Sequence, residues 1–285
     1  MRSSNRSFAF AYLLLTALLT SSCLHNVVVT PEVIAVQKPA ITLDPEDAVW
    51  DDLSVHVSPL LLQDLVDPRL MEPSTKDVSV KAITDGKDIA FRIEWKDITP
   101  DDMPGPKHFI DSCAVQLPSQ IDAVAPAPQM GEAGRPVEIT FWRSDWQASV
   151  DGRPDSIKSL YPNAAVDHYP AEARSLENDP SAKHAAGERY SPAAALGNRR
   201  SGPRQQPVED LIAEGPGTLS PSPNSFSRGK GALTKDGWAV VIARPMPQGL
   251  SAGNPGQIAF AVWEGSHGES GARKMRTGWV TLLTR

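Results

Sequence analysis

The sequence predicts a mainly β fold: an antiparallel β-sandwich with a few short helices and one long loop-rich insertion. Three observations predict it. Short runs of alternating apolar and polar residues recur along the chain, turn signals separate them, and no sustained helical period or regular repeat appears. One domain accounts for most of the 285 residues, because single β-sandwiches run past about 200 residues.

The first element is an address. Arg2 and Arg6, the apolar run Phe8 to Leu19 and then Thr20-Ser21-Ser22-Cys23 have the layout of a secretory signal over residues 1–22. The apolar run is too short for a comfortable membrane span and lacks the Arg-Arg pair of the twin-arginine route. A periplasmic protein is expected. Cys23 follows small residues where a bacterial lipoprotein is cleaved and acylated, although Thr20 stands where such signals usually carry Leu. Lipidation of Cys23, which would anchor the protein to the membrane, and ordinary cleavage nearby both stay open.

Residues 23–43 read as a Pro-containing linker with an edge strand between Val27 and Val36, since Pro31 argues against a central position. The folded body is expected over 44–285, beginning just before Trp50. Strand patterns follow at Val78 to Thr84, Ile89 to Trp95, Phe109 to Leu117 and Val137 to Trp142, with Asp85-Gly86 as a hairpin signal between the first two. From Asp151 to about Ser225 the chain turns rich in Pro, Ala, Asn and charge, with Pro207 to Ala213 as its one short helix. An excursion of that length is usually functional or interaction-bearing. Strand pattern returns at Trp238 to Ala243, Gln257 to Trp263 and Gly278 to Leu283. If strands near the two ends of the body share sheets, distant loops can meet at one pocket.

Composition closes several classes. The formal net charge is −6, and loss of Arg2 and Arg6 with the signal takes it to −8. With basic residues scattered, there is no footprint for nucleic acid. The only cysteines are Cys23 and Cys113, which excludes covalent haem c, an iron-sulfur ligand set and a structural zinc site. Cys113 reads as a small buried hydrophobe. His56, His108, His168 and His184 show no metal spacing.

Several blocks resemble, in order, those of the ethylbenzene dehydrogenase γ-subunit family. They include Trp50-Asp51-Asp52, Ile89-Ala-Phe-Arg-Ile-Glu-Trp-Lys-Asp97, Phe109-Ile-Asp-Ser-Cys-Ala-Val-Gln-Leu-Pro118 and Met130-Gly131. Further along come Tyr161-Pro-Asn163, Asp167-His-Tyr-Pro170, Ala213-Glu-Gly-Pro-Gly-Thr-Leu219, Asp236-Gly-Trp238 and Ala259-Phe-Ala-Val-Trp-Glu-Gly265. The likeness runs from about Asp44 onward; each block is weak and their order is the signal. It implies a β-sandwich that holds one non-covalent haem b between Met130 and Lys274. It also implies an electron-transfer subunit, not a catalyst, of a molybdenum oxidoreductase complex. Such a subunit passes electrons between an external carrier and the iron-sulfur relay leading to a molybdopterin catalytic subunit. His267, in the Gly-rich loop Ser266-His-Gly-Glu-Ser-Gly271, is the competing ligand, imidazole being the commoner choice for haem. Trp142, Trp146, Trp263 and Trp279 are candidates for supporting the pocket.

Lys274 is an unusual ligand. Deprotonating a lysine of ordinary pKa, roughly 10.4, at pH 7 costs on the order of 4 to 5 kcal/mol. Like charge from Arg273 and Arg276 should reduce that.

Two rival classes are distinguishable. A haem-free carbohydrate- or ligand-binding β-sandwich would use some of the seven tryptophans as aromatic platforms. A hydrolase would use Gly249-Leu-Ser-Ala-Gly253, which matches Gly-x-Ser-x-Gly but lacks the strand before and the helix after that a nucleophile elbow needs. Glu94, Glu138 and Asp145 have no spacing that singles out an acid/base pair.

Overall fold

The computed structural model describes residues 28–154 and 204–285 continuously, and 158, 161–165, 178–190, 193, 196, 198 and 200 between them. The expected signal segment, Cys23 and His168 lie outside the described residues. Fifteen strands and two α-helices are described. The first six strands are β1 (Val29–Thr30), β2 (Val33–Gln37), β3 (Val55–Pro59), β4 (Leu61–Leu62), β5 (Asp77–Thr84) and β6 (Asp88–Lys96). Then come β7 (Ser112–Pro118), β8 (Val137–Arg143), α1 (Ser144–Val150), α2 (Pro180–Tyr190), β9 (Val208–Ala213) and β10 (Ser220–Pro221). The chain closes with β11 (Arg228–Leu233), β12 (Gly237–Pro245), β13 (Gly256–Trp263), β14 (Met275–Arg276) and β15 (Val280–Thr284).

Hydrogen bonding is continuous in the order β10-β9-β8-β7-β13-β15-β2-β5-β6-β12-β11. The path folds over at β13, whose first residues pair with β15 and whose later residues pair with β7 and β14. Two layers result. One layer turns Val80, Phe91, Ile93, Trp95, Trp238 and Val240 inward, and the other answers with Cys113, Val115, Leu117, Trp142, Phe260 and Val262. These are every second residue along their strands, as the period of a pleated strand requires. Trp142 stands edge-on to Trp95 and Trp238, at ring separations of 6.2 and 5.2 Å, and joins the layers. Gly231 in β11 makes room for it: a Cβ there would lie 2.3 Å from Trp142 Cζ2.

The Asp85-Gly86 hairpin forms as its sequence requires. Asp85 Oδ1 accepts from the backbone N–H of Lys87 and Asp88, and Gly86 takes φ 88°. Cys113 is fully buried in the core, where burial pushes its thiol pKa well up.

Three expectations need correction. The sheet is mixed, because β2 runs parallel to both β15 and β5, and β1 parallel to β3. The edge strand expected within the 23–43 linker is instead interior. Pro31 falls between β1 and β2, so its missing N–H interrupts no ladder, and Val33, Ile34 and Ala35 are buried. The helix expected at Pro207 to Ala213 is strand β9, pairing with β8 over Val137 to Trp142. So short a helix has little stability of its own, and the open edge of β8 satisfied the backbone of Val208 to Ala213 instead. The loop-rich excursion therefore ends by Val208. Its described helix is α2, whose first turn is capped by Asp179 Oδ1 accepting from Ser181 and Ala182 N–H.

Candidate functional site

The strand residues that point away from the sandwich core form the floor of a cavity of about 500 Å³. Ala114 and Gln116 from β7, Ile139 and Phe141 from β8, Leu211 from β9, and Ala259, Ala261 and Trp263 from β13 line it. Small residues on β7 and β13 leave the space, and the aromatic groups wall it. Phe141 meets Trp263 edge-on at 5.0 Å and Trp146 at 5.7 Å. The volume falls within the roughly 300–1,000 Å³ of small-molecule and cofactor pockets.

Met130 reaches this cavity from a loop pinned at four points. Trp279 Nε1 donates to Pro126 O at 2.6 Å and Gln116 Nε2 to Pro128 O at 3.0 Å. Gly131 N donates to Ala127 O at 2.9 Å, and Gly215 N to Met130 O at 2.7 Å. The loop closes so tightly that Met130 takes φ 69°, a left-handed conformation uncommon for a side chain without local hydrogen bonding. Gly131 follows at φ 79°, with backbone oxygens of Ala213 and Arg135 3.0 Å from where a Cβ would stand.

Lys274 enters the same cavity from the segment between β13 and β14. That segment is also held firmly. Gly265 N donates to Asp111 Oδ1 at 2.8 Å, and Trp263 Nε1 to Gly271 O at 3.0 Å. Gln63 donates to Ala272 O through its side chain and to Lys274 O through its backbone. The Lys274 ammonium lies 5.1 Å from the Trp263 ring centre, and no carboxylate ion-pairs with it among the described residues. Burial first, and then the neighbouring Arg276 charge, bring its pKa down to about 8. The remaining cost of the neutral amine at pH 7 is then on the order of 1 kcal/mol. Arg273, expected to contribute, instead lies over the Phe109 ring at 5.7 Å.

The structure thus brings Met130 and Lys274 to one cavity but not His267. His267 is exposed on the outer side of its 3-10 turn, beyond the cavity lining, because Gly268 at φ 68° turns the chain back only after it. Among the supporting tryptophans, Trp263 lines the floor, Trp279 anchors the Met130 loop, Trp146 packs on Phe141, and Trp142 belongs to the core.

Three contributors went unseen in the sequence. Glu269, 1% exposed, lines the cavity, accepts from Ser74 Oγ and Glu264 N, and has its pKa raised by burial. Arg143 and Arg200 line it too, both beside the Trp146 ring. An Arg followed by Asp at i+2 was the only sequence trace: Arg143 grips Asp145 through two 2.8 Å hydrogen bonds.

The other candidates find structural roles. His56 is buried against Thr30 O, His184 sits on exposed α2 beside Glu188, and His108 lies at the cavity margin. Glu94, Glu138 and Asp145 are each engaged by an arginine. Ser251 is exposed in the β12–β13 turn, with no helix after it. All seven tryptophans are among the described residues and none is exposed.

A family model described as ethylbenzene dehydrogenase matches residues 47–275. The chain is 22% identical over 242 residues to a Haloferax mediterranei protein named as a respiratory nitrate reductase heme subunit, covering 82% of this chain and 66% of that one. It is 23% identical over 217 residues to the chlorate reductase subunit gamma of Ideonella dechloratans, covering 73% and 65%. The match therefore spans just under two thirds of each relative's length. Among solved structures, a family 9 carbohydrate binding module from Caldicellulosiruptor kristjanssonii in complex with cellotriose aligns with TM-score 0.43 at 12% identity. It covers 89% of this chain and 94% of that one, a likeness too slight to argue from.

Proposed function

The chain belongs to the ethylbenzene dehydrogenase family, and from that membership and the cavity we propose that it is the haem-carrying electron-transfer subunit of an oxidoreductase complex. The observation that carries the reading is the convergence of Met130 and Lys274 on one largely apolar cavity. The residues present fit a haem b. Met130 and Lys274 would hold the iron, and Phe141, Trp263, Ile139 and Leu211 would enclose the ring and exclude water. Arg276, which lines the cavity and has no carboxylate partner among the described residues, would offer positive charge for its carboxylates, whereas Arg143 and Arg200 are already ion-paired with Asp145 and Glu209.

When bound, the group supplies one-electron redox chemistry. The chain's own part is to set its surroundings. Burial and then Arg276 lower the pKa of Lys274, so it would give up its proton at reduced cost, and the thioether would favour the reduced metal. With Met130 and Lys274 both engaged in holding the iron, this chain would offer no position there for a substrate, and catalysis would fall to another subunit. The names of the two relatives, a heme subunit and a gamma subunit of reductases, support this. The complex would supply an iron-sulfur subunit and a molybdopterin catalytic subunit as partners.

The same reading includes export to the periplasm through residues 1–22, with Cys23 as the acylation site if a lipid anchor is present. Mass spectrometry of the secreted chain checks it: a lipid-modified N-terminus at residue 23 supports the anchor and an unmodified one removes it.

The cofactor test is a titration of the cofactor-free chain with haem, followed through tryptophan fluorescence. The expected result is saturation at one haem per chain with quenching. Absence of saturable binding by a folded chain would overturn the reading.

A further inference from the structure

The ends of three strands place three carboxylates together outside the cavity. Asp97 follows β6, Asp111 precedes β7 and Glu264 follows β13. They are 6%, 0% and 6% exposed, and one oxygen of each lies within 4.8 Å of the others. None is ion-paired among the described residues.

The hydrogen bonds that surround the cluster favour ionised carboxylates. Asp111 accepts three N–H groups: Gly265 N at 2.8 Å, Asp101 N at 2.6 Å and Trp238 Nε1 at 3.1 Å. Asp97 Oδ1 accepts Thr99 N at 2.9 Å, and Glu264 Oε1 accepts Ser266 Oγ at 2.9 Å. Asp97 Oδ2 has no partner although it is buried. A buried carboxylate oxygen left without a partner, in a residue grouped with two further buried carboxylates, is a costly arrangement unless a proton or a cation lies among them. Donors fitted to Asp111's charged form indicate the cation.

We propose that Asp97, Asp111 and Glu264 form a divalent cation site suited to Ca²⁺, which ties the two layers of the sandwich at the base of the Lys274 segment. The chemistry selects the ion. All donors are carboxylate oxygens, with no imidazole or thiolate for Zn²⁺. Oxygens up to 4.8 Å apart suit a centre with bonds of roughly 2.3–2.6 Å and flexible geometry. Water and backbone carbonyls can fill the remaining positions. The site joins β6 of one layer to β7 and β13 of the other, and Glu264 N is also held by Glu269 Oε2, which lines the cavity. It does not depend on the haem reading.

The test uses the full chain, stripped with a chelator and titrated with Ca²⁺ calorimetrically and with Tb³⁺ by luminescence excited through tryptophan. Trp238, bonded to Asp111, is the sensitiser. Expected are one site per chain, Tb³⁺ emission that Ca²⁺ displaces, and a rise in Tm of roughly 5–10 °C at hundredfold excess of free Ca²⁺ over Kd. Asp97→Asn, and separately Glu264→Gln, should weaken Ca²⁺ binding by at least about tenfold in chains shown folded by circular dichroism. Two results overturn the proposal. Wild-type chain that binds neither ion leaves the carboxylates sharing protons, and folded variants that bind Ca²⁺ as tightly as wild type put the cation elsewhere.

Discussion

Met130 is held at φ 69° by hydrogen bonds on both sides of it, a backbone conformation that suits glycine better. Met130→Gly should therefore leave the cofactor-free chain within about 1 kcal/mol of wild-type stability by urea denaturation, while losing the thioether. A loss of about 2–5 kcal/mol, the usual result of emptying a core methionine, would mean that the side chain is there for packing. Cys113 gives a second prediction. Buried on β7 with its thiol pKa raised, it should resist alkylation in the native chain and react only on unfolding, in a Cys23→Ser background. Rapid native alkylation would contradict the core position. Neither Met130 nor Lys274 stands out by composition; only the order of family-like blocks singled them out. Glu269 and Asp111 gave no such signal, because burial of a carboxylate is decided by neighbours far away in sequence.

At the scale of elements, alternation made most of the β-sandwich legible. β5, β6 and β8 fall where apolar and polar residues alternate, β12 and β13 where the chain runs continuously apolar, and their inward faces build the core. Alternation alone did not tell which opposite face would carry the cavity: that depends on small residues of β7 and β13 becoming neighbours in the sheet. β9 misled because Glu-Asp-Leu-Ile-Ala is as good a helix as a strand until β8 offers it a ladder. β2 misled because Pro31 lies in the break before it and not within it. Gly231 supplies a test of the layer contact. Gly231→Ala should destabilise the chain by about 1–3 kcal/mol, as the new methyl meets the Trp142 ring. A denaturation midpoint equal to wild type would show that Trp142 can move aside.

For the whole molecule, the fold uses one face of each layer for a shared core and turns a second face of one layer into a cavity. Loops from distant parts of the chain close over that face, so the cavity exists only when both layers are assembled. Cofactor binding should then stabilise the entire domain, with Tm rising as free haem exceeds Kd and a single cooperative transition retained. The central claim is the axial pair. The most direct measurement is the visible spectrum of the haem-loaded chain, oxidised and then reduced with dithionite, beside Met130→Ala and Lys274→Ala. A sharp low-spin b-type spectrum in the wild type, altered in both variants while His267→Ala leaves it intact, is the predicted result. A spectrum that survives loss of Met130 or Lys274, or collapses with His267, would contradict it.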